Sequence, residues 1–120
     1  MITLEVELLL SLVLKILEDN KAEDVITISL KGKSNEADHM VVASGSSNRS
    51  VSALSEKLIQ GLKNDLGIYV RTEGLNNADW VLLDSGDVII HVFRQEVREF
   101  YQIEKMWQTN TVTKIASENL

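Results

Sequence analysis

The run Val88–Ile89–Ile90–His91–Val92–Phe93 is apolar at every position but one. Successive side chains of a strand point to opposite faces. A strand of this composition therefore has both faces to cover, which places it in the middle of a sheet with material packed on either side. The chain has 120 residues, 44% of them apolar and 25% charged. That suits one domain with one core.

The other elements follow from periodicity. Leu8, Leu9, Leu12, Val13, Ile16 and Leu17 repeat at helical spacing, predicting a helix over about residues 4–20. Leu10 and Leu14 fall off that stripe, so this helix is apolar nearly all round. It is either deeply buried or covered by a second chain. Residues 25–30 alternate as a half-buried strand, and residues 40–43 form a second. Ser44–Gly45–Ser46–Ser47–Asn48 offers helix N-caps. A second helix runs to about residue 65 on the stripe Val51, Leu54, Leu58, Leu62 and Leu66, with Gly67 at its C-terminal stop. Residues 68–72, 80–84 and 87–93 read as three more strands, the last two joined by Ser85–Gly86 as a tight hairpin. A third helix is expected over about residues 95–108. A polar, frayed tail is expected over residues 108–120, leaving residues 1–107 as the domain. The order mixes hairpins with a crossover, so the fold class is α+β: a mixed five-stranded sheet with three main helices. Ile28, Val42, Leu54, Leu58, Val70, Ile90, Val92 and Phe100 are the expected core.

Composition excludes several functions. The chain has no cysteine. A disulfide framework, a thiol nucleophile and thiolate metal sites are thereby removed. Two histidines, His39 and His91, are too few for a histidine-rich metal site. The formal charge is −6, from 12 Lys+Arg against 18 Asp+Glu. That balance opposes a grip on phosphate backbones and favours a small substrate or a basic partner. Leu8 to Leu17, the most apolar stretch, is interrupted by Ser11 and Lys15 and is too short to span a bilayer. Glu5 and Glu7 stand where a signal peptide has positive charge. A cytoplasmic location without membrane contact is expected.

Chemistry-bearing residues are sparse. Ser44–Gly45–Ser46–Ser47, between a strand and a helix, lacks the second glycine and the lysine of a phosphate-binding loop. An N-cap with a sharp turn accounts for it. Gly45–Ser46 after a strand also suits a nucleotidyltransferase, but the Asp-x-Asp pair that would hold magnesium is missing from the segments that follow. Asp84 and Asp87 flank the hairpin and are expected to accept hydrogen bonds from turn amides. His91 has no evident catalytic partner and is expected to be a hydrogen-bonded packing residue. No catalytic, metal-binding or cofactor-binding residue is assigned, and no cofactor is expected. Between Arg71 and Arg94 there is no Lys or Arg, while Glu73, Asp79, Asp84 and Asp87 surround Trp80. An acidic surface containing a Trp suits docking of a basic protein. A core Trp with a solvated acidic rim fits the same residues equally well.

Five blocks carry a resemblance. Asp38–His39–Met40–Val41–Val42–Ala43–Ser44–Gly45–Ser46–Ser47–Asn48–Arg49 is the first. Glu73–Gly74, Ala78–Asp79–Trp80–Val81–Leu82–Leu83–Asp84, and Gly86–Asp87–Val88–Ile89–Ile90–His91–Val92–Phe93 follow. Arg98–Glu99–Phe100–Tyr101–Gln102–Ile103–Glu104–Lys105–Met106–Trp107 completes the series. It resembles the ribosomal silencing factor, or Iojap-like, family from the first helix to Trp107, departing from the common pattern at Ser29 and His39. The resemblance implies a nucleotidyltransferase-like fold without the catalytic carboxylates and a protein that is not an enzyme. It also implies a translational repressor. Such a protein binds the large ribosomal subunit through its protein fourteen (the universal L-fourteen protein), blocks joining of the small subunit, and in organelle relatives aids large-subunit assembly. Members are often homodimers. A nucleotidyltransferase-type enzyme and a homodimeric scaffolding module are the alternatives.

On this basis the docking face is expected on the fourth and fifth strands and their hairpin. Trp80 serves as anchor, Leu82 lies on the same side, His91 lies beside them, and Asp84 and Asp87 form a charged rim. Little or no direct nucleic-acid binding is expected.

Overall fold

The computed structural model describes residues 4–107. Its elements are α1 (Leu4–Asp19), β1 (Glu23–Ser29), β2 (His39–Gly45), α2 (Asn48–Leu66), β3 (Arg71–Glu73), β4 (Trp80–Asp84), β5 (Val88–Arg94) and α3 (Gln95–Tyr101). The strands form one sheet in the order β1-β2-β5-β4-β3. β5 lies at its centre, parallel to β2 and antiparallel to β4. The remaining pairs are antiparallel. The sheet is thus mixed and the class α+β.

Both faces of β5 are covered, as its composition demands. Val88, Ile90 and Val92 join Val41, Ala43, Val81 and Leu83 in a core closed by α1 and α2. Phe93 lies on the opposite face with Ile28, Leu30, Met40 and Val42. Each apolar side chain fully buried this way contributes about 1.5–3 kcal/mol. Two glycines set how closely the layers approach. A Cβ on Gly61 would stand 2.5 Å from Ile16 Cδ1, so α1 and α2 cross at a glycine. A Cβ on Gly45 would stand 3.0 Å from the Val51 backbone nitrogen, where β2 runs into α2. Ser47 caps α2 by accepting from the Ser50 N–H at 3.1 Å. Gly67 ends it in the left-handed conformation, its N–H donating to the last carbonyls.

Three expectations are corrected. Phe100 is not core: it is 79% exposed and packs edge-on against Tyr101. The third helix stops at Tyr101, because Gln102 adopts φ 50° and donates its N–H back to the Arg98 carbonyl. A short helical turn at residues 103–107 then redirects the chain, and α3 buries Arg98 where Phe100 was expected. Val70 is only half-buried and precedes its strand, which pairs at Arg71–Glu73 and not at residues 68–72. The chain must first travel from the end of α2 to the sheet edge before it meets β4. The expected tail over residues 108–120 lies outside the described residues.

Candidate protein-docking site

Alternation along β4 sends Val81 and Leu83 into the core under α1 and α2. It turns Trp80, Leu82 and Asp84 to the other side, where each stays half-buried. On β5, His91 pairs with Leu82 and Phe93 with Trp80. Ile89 lies two residues before His91 on the same face, beside Met40 of β2. The turn at residues 103–107 covers only part of this surface. What remains is a groove of about 350 Å³ between the sheet and that turn, lined chiefly by Met40, Trp80, Leu82, Ile89, Met106 and Trp107. A second depression of about 260 Å³ lies between Trp80, Leu82, His91 and the Glu73–Gly74 corner.

Trp80 is the centre of this face. Its ring stacks on Phe93 at 4.8 Å and 28° and tilts against Tyr101 at 5.0 Å. Its indole N–H donates to His91 Nδ1 at 3.0 Å. His91 is accordingly a neutral imidazole with its proton on Nε2. Burial pushes its pKa down to about 4, against a weaker upward pull from the Glu104 carboxylate. Gly74 fixes the approach to Trp80. It has φ 91°, and a Cβ there would strike the Trp80 carbonyl oxygen.

The charged rim is built differently at its two expected members. Asp84 Oδ1 accepts from the Gly86 N–H and Oδ2 pairs with Arg71, both at 2.9 Å. The turn amide, and then the guanidinium, hold its carboxyl below the usual range. Asp87 is exposed, and its backbone carbonyl accepts from the N–H groups of Asp38 and His39. Ser85 Oγ and N–H both donate to the Val88 carbonyl, and Gly86 at φ 96° closes the hairpin. At the other end of β4, Asp79 Oδ1 accepts from Asn48 at 2.6 Å and from Arg94 at 3.0 Å. Those two bonds lower its pKa, Asn48 first.

Of the expected docking residues, Trp80, Leu82 and His91 are thus brought together, with Asp84 at the end of the same face and Asp87 beyond the turn. Sequence reasoning missed the walls, Met40, Ile89 and the turn carrying Ile103, Met106 and Trp107, and the Tyr101 ring against Trp80. Ile89 was visible as the position two before His91. The others depend on non-local pairing.

The Gly45–Ser46 corner is a structural joint. Ser44 is fully buried and its hydroxyl accepts from Arg98 Nη1 at 2.7 Å. The same nitrogen donates to the Asp24 carbonyl at 2.7 Å, and Arg98 Nε to Glu104 Oε2 at 3.1 Å. Among the described residues no group of three Asp, Glu or His side chains is placed to hold a metal ion.

A small α+β domain with two helices on one sheet face and a partly covered aromatic groove on the other defines a class in which that half-open groove is the feature to explain. Residues 3–120 match the family described as ribosomal silencing factor during starvation. The ribosomal silencing factor of Zymomonas mobilis is 54% identical over 101 residues, covering 84% of this chain and 76% of that one. A mouse protein named for mitochondrial assembly of the ribosomal large subunit is 30% identical over 118 residues, covering 92% of this chain and 52% of its own. A crystal structure of a Chromobacterium violaceum protein, 36% identical, superposes with a TM-score of 0.82 over 85% of each chain. The chain belongs to the ribosomal silencing factor family. That family is named for silencing and not for an enzymatic activity.

Proposed function

We propose that this protein is a ribosome-associated regulator that docks on the large subunit through its protein fourteen and keeps the small subunit from joining. The mechanism is steric: an acidic domain occupies a basic protein at the subunit interface, and no bond is made or broken. The observation that carries this reading is the half-open groove at Trp80, Leu82 and His91 on the sheet face opposite α1 and α2. A half-buried Trp flanked by acids has the composition of an interface anchor. The net charge of −6 supports attraction to a basic partner. The name of the mouse relative supports a second role, in large-subunit assembly.

Off the ribosome the protein is proposed to form a homodimer, with Leu8, 53% exposed on α1, among the apolar side chains available to a second copy. It acts in the cytoplasm, where ribosomes are found. Sedimentation with separated ribosomal subunits tests the reading. The protein should travel with large subunits alone and lower the yield of joined ribosomes. Equal recovery with small subunits, or undiminished joining at saturation, refutes it.

A further inference from the structure

The docking face contains one contact that is more specific than apolar burial requires. Trp80 and His91 are diagonal neighbours across the β4–β5 pair, since Trp80 stands opposite Phe93 and His91 opposite Leu82. Such diagonals lie within reach of large side chains. A half-buried indole N–H needs an acceptor. Here the acceptor is the Nδ1 lone pair of His91, 3.0 Å away. Phe93 below and Tyr101 beside the indole constrain its plane, with centroids 4.8 and 5.0 Å from it. Ring contacts alone do not choose between the two flips of the indole within that slot, and the N–H is donated to His91. The hydrogen bond makes that choice.

We infer that His91 is a positioning residue: its Nδ1 locks the Trp80 indole in the one orientation that the docking face presents to its partner. The inference rests on the docking role given to Trp80 above. Preorganisation of this kind strengthens binding by removing the ordering cost of the anchor. The groups facing His91 are Trp80, Phe93 and the carboxylate of Glu104. The imidazole stays neutral above about pH 5, so the lock persists through the physiological range.

Asparagine places Oδ1 close to where histidine places Nδ1, whereas leucine has similar bulk and no acceptor. The test therefore compares His91→Leu with His91→Asn in two assays. The first is the Trp80 indole N–H resonance, assigned by its loss in Trp80→Phe. The second is affinity for isolated large subunits. H91L should move the resonance and weaken binding about tenfold, the size expected for one unmade buried hydrogen bond. H91N should restore most of both. In a Trp80→Phe background, which has no N–H to hold, H91L should cost nothing further. Equal loss of binding in H91L and H91N, with both folded and the H91N resonance unmoved, makes His91 a direct contact and overturns the inference. Full H91L affinity with a shifted resonance overturns it as well. If H91L melts below the assay temperature, H91N decides: near wild-type resonance and affinity support the lock, and a loss of affinity as large in the Trp80→Phe background as in wild type overturns it. Wild-type protein that fails to bind large subunits refutes the proposed function instead, and the resonance then still reports whether His91 orders the indole.

Discussion

Arg98 and Glu104, six residues apart in sequence, form an ion pair 3.1 Å long whose side chains are only 10% and 15% exposed. A continuous helix would put them about 240° apart around its axis. They meet because Gln102 breaks the helix in a left-handed conformation. The pair anchors the turn that carries Ile103, Met106 and Trp107, and with it one wall of the groove. Lys33 Nζ, which donates to the Trp107 carbonyl at 3.1 Å, anchors the far end.

Arg98→Met should be severely destabilising. It strands the Glu104 carboxylate and removes the donor to Ser44 and Asp24. Breaking one partner of a buried pair costs about 3–5 kcal/mol. In a domain of this size that lowers the melting temperature by more than about 10 °C. Glu104→Gln keeps an acceptor for Arg98 and should cost less than half as much. Thermal melts of the two variants check this. Equal losses would show that the charge on Glu104, and not its hydrogen bond, holds the turn.

Trp80→Ala should show two effects at once, because the side chain is neither fully core nor free. Its ring packs on Phe93 and Tyr101 while its other surface lines both depressions. Truncation of a half-buried Trp costs about 2 kcal/mol, a drop on the order of 10 °C that leaves the domain folded at 25 °C. Loss of an interface anchor costs about 2–4 kcal/mol, or roughly 30- to 1,000-fold in affinity. Melting and large-subunit co-sedimentation measured together separate the two. A folded variant that binds normally removes Trp80 from the docking face.

How much of this was visible in the sequence depended on whether the determinant was local. The Gly67 stop and the hairpin at Ser85–Gly86 are each set by a few adjacent residues and stand where the sequence put them, and the α2 cap, Ser47, is one of the several candidates that residues 44–48 offered. Apolar residues on both faces placed β5 at the sheet centre. Alternation put Trp80 and Leu82 on one side. The helix break at Gln102 carried no such signal, since no glycine or proline marks it. It is stabilised by Arg98 reaching across to Ser44 and Asp24, contacts 54 and 74 residues away. Phe100 was misplaced for that reason, and the groove wall at residues 103–107 went unseen. Met40 joined the site only through the parallel pairing of β2 with β5.

His91 makes a pH prediction with a definite sign. Its native pKa is lowered to about 4 from an ordinary value of 6.5. Above pH 6.5 the imidazole is neutral in both folded and unfolded chains, and its effect on stability is flat. Between about pH 6.5 and 4 the unfolded chain takes up the proton and the native one does not, so stability falls as pH falls. The full loss is on the order of 3 kcal/mol. Asp79 and Asp84, both lowered from 3.8, act below that window. Urea unfolding at pH 7 and pH 4.5 should show a decline in wild type that is much smaller in His91→Leu. Parallel declines would mean that another group governs acid stability.

Asp84 and Asp87 should affect the rate of encounter more than the strength of the bound state. Both lie at the hairpin end of the docking face, where charges steer a basic partner through solvent. Asp84 is also engaged inside the fold by Gly86 and Arg71. Asparagine at position 84 keeps an oxygen for the Gly86 N–H and loses only a pair whose arginine is 86% exposed. Surface pairs of this kind contribute little to stability, so Asp84→Asn should melt close to wild type. The variant also frees the Arg71 guanidinium, placing a positive charge where the partner needs a negative one. The association rate with large subunits should fall several-fold at low salt in Asp84→Asn and less in Asp87→Asn, which releases no arginine. Both differences should shrink as ionic strength rises past about 0.15 M, where the screening length is about 8 Å. Dissociation rates should change little. Stopped-flow association across a salt series measures this directly. A loss expressed mainly in the dissociation rate, or one that persists at high salt, would place the carboxylate in a buried contact and not on the rim.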